Sequence, residues 1–247
     1  MPLDPTPLAG YAAVILGGSG AIGAATARLF ADAGASITVV ASTDVARAEA
    51  VCAALPGVGH SAHACRIEDG AALRHLAATV GHADILVNSA GFTRAIPHGD
   101  LETLTDELFD RVLSVNTRGA FSAVRAFAPL LRVGGRGLIV NISSIAATTG
   151  AGSSVAYCAA KAGLDVMGSA LARVLAPAIR VLTVSPGVVD TDFVPGRDRA
   201  AREKAGRATP LGRVCSADDV ARVVLACATS LGYSTGTVIQ VDGGRHL

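Results

Sequence analysis

Tyr157 and Lys161 stand four positions apart in the run Tyr157-Cys158-Ala159-Ala160-Lys161. The run reads as helix, and at that spacing both side chains leave one helix face. An ammonium beside a phenol favours the phenolate by charge proximity. That draws a group of ordinary pKa about 10 toward the range useful for proton transfer. Alone, such a pair is common on helical surfaces, so its meaning rests on its surroundings. Ser144 follows Asn141-Ile142-Ser143 at an expected strand end, where parallel α/β sheets bind ligands. A hydroxyl there can hold a carbonyl oxygen. Asn88 and Asn116 are further polar residues at strand-end and helix positions.

A second segment suits phosphate chemistry. The chain runs Leu16-Gly17-Gly18-Ser19-Gly20-Ala21-Ile22-Gly23 and then into an Ala-rich stretch. Glycines permit a tight turn and close approach of the backbone to a pyrophosphate. A helix N-terminus behind them supplies free N–H groups and positive dipole. Gly18-x-Gly20-x-x-Gly23 fits the dinucleotide-binding pattern in a strand–turn–helix context. Taken by itself, the same motif also fits a flexible loop.

These residues need elements that hold them still. Short β-branched runs alternate with longer Ala-rich stretches. Strands are expected at 11–16, 36–41, 61–65, 84–88, 135–142, 180–185 and 238–241. Helices are expected at 21–33, 44–55, 70–80, 105–131, 155–176 and 217–230. Several strands are apolar throughout, as suits strands covered on both faces. Repeated strand–helix–strand units imply a parallel sheet with right-handed crossovers. The expected fold is a Rossmann-type doubly wound sheet of about seven strands, helices on both faces, in a single domain over 1–247. Residues 192–209, charged and broken by Pro195 and Gly196, read as a mobile substrate loop with room for a short helix.

Bulk properties narrow the function. Basic side chains number 21 and acidic ones 20, for a net charge of +1. That balance argues against a nucleic-acid partner, which calls for a concentrated positive face, and against a polybasic membrane anchor. Mean hydropathy is +0.48, but the apolar runs are short of the roughly 18 residues of a membrane span. Residues 1–10 carry three prolines and no basic region, unlike a secretory signal. The five cysteines (Cys52, Cys65, Cys158, Cys215 and Cys227) are widely spaced and form no Cys-x-x-Cys. Reduced thiols in a cytoplasmic protein are expected, with no metal site. Cys158, beside Tyr157, reads as packing.

The residues together resemble the short-chain dehydrogenase/reductase family over nearly the whole chain. Gly17 and Gly23 fall in its Gly-x-x-x-Gly-x-Gly segment, and Asn88-Ser89-Ala90-Gly91 is similar to its Asn-Asn-Ala-Gly motif. Asn116, Ser144, Tyr157 and Lys161 fall at its catalytic tetrad, with thirteen positions from Ser144 to Tyr157. Pro186-Gly187-Val188-Val189-Asp190-Thr191 is similar to its nicotinamide segment. Pro210-Leu211-Gly212-Arg213 and Val241-Asp242-Gly243-Gly244 resemble its C-terminal markers, most closely in the branch that includes 3-oxoacyl-acyl-carrier-protein reductases. Four positions depart: Leu16 for Thr, Ala21 for the middle glycine, Ser89 for the second Asn, and Arg66 where an adenine-contacting Asp is usual.

The resemblance implies an NAD(P)(H)-dependent oxidoreductase acting on a small-molecule carbonyl or alcohol. Tyr157 would be the general acid or base, Lys161 would lower its pKa and bond the nicotinamide ribose, Ser144 would position the substrate oxygen, and Asn116 would hold a relay water. Gly17, Ser19, Gly20, Ala21, Ile22 and Gly23 would meet the pyrophosphate. Ser42 and Thr43 would lie at the ribose, Arg66 and Ile67 at the adenine, and Asn88, Ala90 and Gly91 along the cofactor. Pro186, Gly187, Val189 and Thr191 would hold the carboxamide. Ala41 stands where NAD enzymes of this kind carry an Asp, and Arg47 or Arg66 could pair with a 2′-phosphate, so NADP(H) is favoured over NAD(H). The pocket would be lined by Phe92, Thr93, His98, Ala146, Ala147, Ser153 and Ser154, with Arg94, Arg197, Arg199 and Arg202 able to approach. The apolar helices and the resemblance imply a homotetramer. A catalytically silent sensor or scaffold on the same fold is the alternative. It has no need of Tyr157 and Lys161 together.

Overall fold

Successive strand residues point to opposite faces, and the first strand, β1 (Ala12–Leu16), shows the consequence. Ala13 and Ile15 join one apolar cluster with Phe30, Ile37, Val39 and Val224. Val14 and Leu16 join the other, with Leu73, Leu86, Phe127 and Ile139. Both faces are covered, so β4 (Ile85–Asn88) and β5 (Gly137–Ile142) are buried at every position. The computed structural model describes residues 6–247. Residues 1–5 of the proline-rich start lie outside the described residues.

The remaining strands are β2 (Ser36–Ala41), β3 (Ser61–Ala64), β6 (Ile179–Pro186) and β7 (Val238–Val241). They form one seven-stranded parallel sheet in the order β3-β2-β1-β4-β5-β6-β7. Strand order reverses between β1 and β4, the place where open α/β sheets bind ligands. The helices are α1 (Ala21–Asp32), α2 (Val45–Ala53), α3 (Gly70–Val80), α4 (Asp106–Leu113), α5 (Ala120–Val133), α6 (Ala146–Thr149), α7 (Val155–Leu175), α8 (Arg199–Arg207) and α9 (Ala217–Thr229).

At the sheet end away from the site, Asp84 is 1% exposed and ties three strands together. It accepts from the Ala12 N–H at 2.9 Å and from Arg136 Nε at 2.9 Å. The Arg136 guanidinium and these hydrogen bonds outweigh the cost of burial and hold its carboxyl below the usual range.

The helix expected at 105–131 is interrupted. Ser114–Gly119 between α4 and α5 is π-helical, a feature that often marks functional positions. Thr117 Oγ1 donates to Ala160 O at 2.8 Å and binds this segment to α7. Gly119 lies tight under Ile67, where an added Cβ would fall 2.9 Å from Cγ2. The 192–209 segment contains α8, capped by the Asp198 carboxylate at Ala201 N, 2.7 Å. No helix among the described residues is long and apolar enough to cross a membrane.

Candidate active site

The glycine turn leaves β1 at the switch point. Gly17 has φ +75°, and a Cβ there would fall 2.6 Å from the Ala90 amide nitrogen. A Cβ on Gly23 would fall 2.3 Å from Gly17 O. The turn is therefore folded against both α1 and the Asn88–Gly91 segment, and only glycine fits at these two places. Ala21, the departure from the usual glycine, opens α1 at an exposed position with negative φ. Its methyl causes no strain in the chain.

Ser154 caps α7, its hydroxyl accepting from the Tyr157 N–H at 3.2 Å. This starts the helix one turn before the pair that matters. Tyr157 and Lys161 are both buried, at 8% and 4% exposure, and the ammonium lies 5.6 Å from the phenol ring centre. Burial raises the Tyr157 pKa, against which the Ser144 hydrogen bond and the charge of Arg197 act. Burial likewise pushes Lys161 down to about 8, partly opposed by Asp165. Desolvation, and not the ammonium four residues away, sets the direction of the phenol's shift. Lys161 Nζ donates to Ile142 O at 2.8 Å.

Ser144 lies just beyond the end of β5, its Oγ accepting from the Ala146 N–H at 3.2 Å. Asn116 sits in the π-helical segment, 1% exposed. Its Nδ2 donates to Phe92 O at 2.7 Å and Val112 O at 2.9 Å, and its Oδ1 accepts from Phe92 N at 3.3 Å. The side chain is spent on bracing the backbone after β4. Beyond β6, the Val188–Asp190 backbone is held by Cys215 through Asp190 N to Cys215 O at 2.8 Å and Cys215 N to Val188 O at 3.3 Å.

One cavity of about 790 Å³ joins these parts. Ser144, Tyr157 and Lys161 line it together with Ser19, Gly20, Ala21 and Ile22, with Gly91, and with Pro186, Gly187, Val189 and Thr191. The exposed α1 N-terminus, the glycine-only approach at Gly17 and Gly23 and a lining that includes both Ser19 and Tyr157 suit a dinucleotide whose nicotinamide end reaches Tyr157.

Other expected residues lie elsewhere. Asn88 is cross-linked in the sheet, Nδ2 to Asn141 Oδ1 at 2.8 Å. Ala90 supports the glycine turn through its backbone. Ile67 is a core residue at 4% exposure. Ser42 and Thr43 are exposed beyond β2. Arg66 is exposed and paired with Glu68, Nε to Oε1 at 3.0 Å, away from the cavity wall. Arg47 instead borders the cavity and donates to Ser19 O at 3.3 Å. Of the expected pocket residues, Ala146 and Ser153 line the cavity. Thr93 is hydrogen-bonded behind Ser153, His98 contacts Gly152 O at 3.1 Å, and Phe92 lies under Arg111. Phe193, within the expected 192–209 substrate loop, also lines the cavity, as does Arg245, which lay outside the sequence expectation. Phe193 stands 6.1 Å from the Tyr157 ring and close over Gly91.

The tie to known proteins is direct. Residues 17–246 match the family model described as enoyl-(acyl carrier protein) reductase. A Streptomyces violaceoruber protein named as ketoacyl reductase 2 of the granaticin polyketide synthase is 37% identical over 95% of this chain and 96% of its own. The chain belongs to the short-chain dehydrogenase/reductase family. The 3-oxoacyl-[acyl-carrier-protein] reductase of Thermotoga maritima is 33% identical, with 96% and 98% of the two chains covered. A solved 3-oxoacyl-[acyl-carrier protein] reductase from Brucella melitensis superposes with a TM-score of 0.87 at 28% identity, covering 99% of this chain and 94% of its own. As a short-chain dehydrogenase/reductase, the protein is a nicotinamide-dependent oxidoreductase of single-domain Rossmann type.

Proposed function

We propose that this chain interconverts a carbonyl compound and its secondary alcohol with NADP(H), using Tyr157 as the general acid in reduction and the general base in oxidation. One observation carries the reading: Ser144, Tyr157 and Lys161 face the same cavity as the glycine turn and the Pro186–Thr191 segment. When bound, the nicotinamide supplies or accepts the hydride. The chain's own residues handle the oxygen. Ser144 Oγ holds it, and Tyr157, kept protonated by burial, delivers the proton to it. Lys161 anchors the phenol's surroundings and is placed to bond the ribose. Asn116 fixes the Phe92 backbone and gives both Nδ2 hydrogens to carbonyls, so a relay water would rest on its backbone carbonyl. Val189 and Thr191 orient the carboxamide.

Arg47, at the glycine turn, and the absence of a carboxylate at Ala41 support NADP(H) over NAD(H). The 192–209 segment contributes Phe193 and Arg197 to the cavity wall and is proposed to move on substrate entry. Unpaired cysteines support a reducing, cytoplasmic setting, and exposed apolar residues on α5 and α7 support a homotetramer. A kinetic screen of ketones, 3-oxoacyl thioesters and secondary alcohols with both cofactors tests the reading. Turnover of at least one carbonyl class is expected, and silence across the whole panel would refute it.

A further inference from the structure

Nineteen of the chain's 21 basic side chains are arginines, and most of those near the active site already have acidic partners. Arg202 takes Asp190 at 3.2 Å and Asp192 at 3.0 Å. Arg199 takes Glu203 at 2.8 Å, and Arg213 takes Asp219. The three arginines that line the cavity do not, and Arg47 has only Ser19 O of the glycine turn as partner. Among the described residues, the Arg197 guanidinium has no hydrogen bond and no ion pair, although Arg197 is only partly exposed. Arg245 gives one N–H to Ala205 O at 2.8 Å and has no carboxylate. Both line the cavity that holds Ser144 and Tyr157.

Every nearby acid is spoken for. Asp198 caps α8. Asp242, 6% exposed, accepts from Gly244 N and contacts the His246 ring. The two cations feel each other: burial and then the charge of Arg245 make the Arg197 cation harder to hold. Two partly desolvated like charges without a counterion are unfavourable. An entering anion relieves that cost, and guanidinium groups match a carboxylate in shape and donors.

We propose that Arg197 and Arg245 form an anion clamp in the substrate half of the cavity, so that the substrate is an oxo acid or hydroxy acid whose carboxylate lies away from the reacting carbon. The inference rests on the oxidoreductase reading above and adds the substrate class to it. The two residues come from different places, the segment after β6 and the tail after β7. Arg245 is tied to α8 at Ala205 O, and the charges of both Arg245 and Tyr157 act on Arg197. Arg47 instead lies beside Ser19 of the glycine turn, where cofactor phosphates are expected. An anion in this cavity could belong to the substrate or to the cofactor, and the experiment separates the two.

The test compares oxo acids of four to eight carbons, including 4-oxocyclohexanecarboxylate, with their methyl esters. The proteins are wild type, Arg197→Gln, Arg245→Gln and the double variant. NADPH affinity is measured in parallel by cofactor fluorescence, which also verifies folding. Wild type is expected to favour acid over ester in kcat/KM by about tenfold or more. Each variant should bring that ratio toward one, mainly through KM for the acid, while NADPH affinity stays within about twofold of wild type. Equal use of acid and ester by wild type would overturn the clamp, as would an unchanged ratio in the double variant. A fall in NADPH affinity that parallels the loss of acid turnover would assign the arginines to the cofactor and also overturn it. Turnover of neutral ketones without any oxo acid would sink the clamp and leave the oxidoreductase reading standing.

Discussion

Tyr157→Phe removes a single oxygen from a site that is otherwise preformed by packing. The ring keeps its neighbours Val112, Ala156 and Ala160, so cofactor affinity should stay near wild type. Loss of the proton donor should lower kcat by about 10²–10⁴-fold, and a variant retaining half of wild-type turnover would exclude Tyr157 as the acid. Lys161 makes a thermodynamic prediction in the cofactor-free protein. Its pKa falls from 10.5 to about 8 on folding. Below that range both states are protonated and the folded chain bears the full cost of a buried ammonium. Between about 8 and 10.5 the unfolded chain holds a Lys161 proton the folded chain has shed, so the Lys161 contribution to stability rises with pH across that window. The ceiling of the effect is roughly 3 kcal/mol, less about 1 kcal/mol for the lost bond to Ile142 O. Lys161→Met should therefore be about 1–2 kcal/mol more stable than wild type at pH 7. That advantage should shrink toward pH 10. Urea unfolding at pH 7, 8.5 and 10 reads this directly, and a pH-independent difference would contradict it. Burial raises the five cysteines and Tyr157, which oppose Lys161 in this window, so the effect of Lys161 is read from the difference between variant and wild type at each pH. The pairing of Tyr157 with Lys161 was legible from the i, i+4 spacing. The sign of the phenol's shift was not, because spacing shows proximity and not depth of burial.

At the scale of elements, the strands and helices followed the apolar runs and Ala-rich stretches closely. β2, α3 and β7 occupy the expected residues. The π-helical Ser114–Gly119 was not legible, since it differs from α-helix by a hydrogen-bond offset that tertiary ties such as Thr117–Ala160 select. Arg66 looked like a phosphate or adenine ligand from its position after β3. Its local ion pair with Glu68 depends on a side-chain direction that sequence position does not report. The glycine turn makes a sharp prediction. Gly17→Ala must place a Cβ 2.6 Å from Ala90 N at φ +75°, so it should cost about 1–3 kcal/mol and abolish dinucleotide binding. Ala21→Gly opens no such conflict and should alter affinity less than about threefold. Fluorescence titration with NADPH distinguishes them, and similar affinities for both variants would count against the turn as the binding cradle. At the end of β2, hydrogen bonds to a charged phosphate are worth roughly 1.5–3 kcal/mol, or about tenfold to a hundredfold. NADPH should accordingly exceed NADH in kcat/KM. Arg47→Ala should weaken NADPH selectively, whereas Arg66→Ala should affect both cofactors alike. Ala41→Asp should reverse the order by repelling the 2′-phosphate. A tenfold wild-type preference for NADH would refute this account.

For the whole molecule, the cavity is built from segments distant in the chain, and that is why Arg245 escaped the sequence. Phe193 and Arg245 reach the site because β6 and β7 pair in parallel, Thr183 with Val238 through Pro186 with Val241, and send their following segments to the same end of the sheet. No local pattern encodes that meeting. The excess apolar character of the long helices was legible, and the structure shows where it emerges. Phe121 on α5 is 41% exposed, and Val166 and Val174 on α7 are 72% and 71% exposed. On the proposed homotetramer reading, these exposed apolar groups would be covered between copies. Light scattering should then give a particle near four times the 24.7 kDa chain. Covering each valine is worth about 1.5–3 kcal/mol at full burial, and placing a carboxylate there without a partner adds a desolvation cost. Val166→Glu with Val174→Glu should reduce the particle to a smaller assembly and lower its Tm. If the wild-type chain is instead a monomer, both positions face water, where substitutions usually stay within about 0.5 kcal/mol. The double variant would then match wild type in mass and Tm. That result, or a monomer at micromolar concentration for the wild type, would rule out the tetramer.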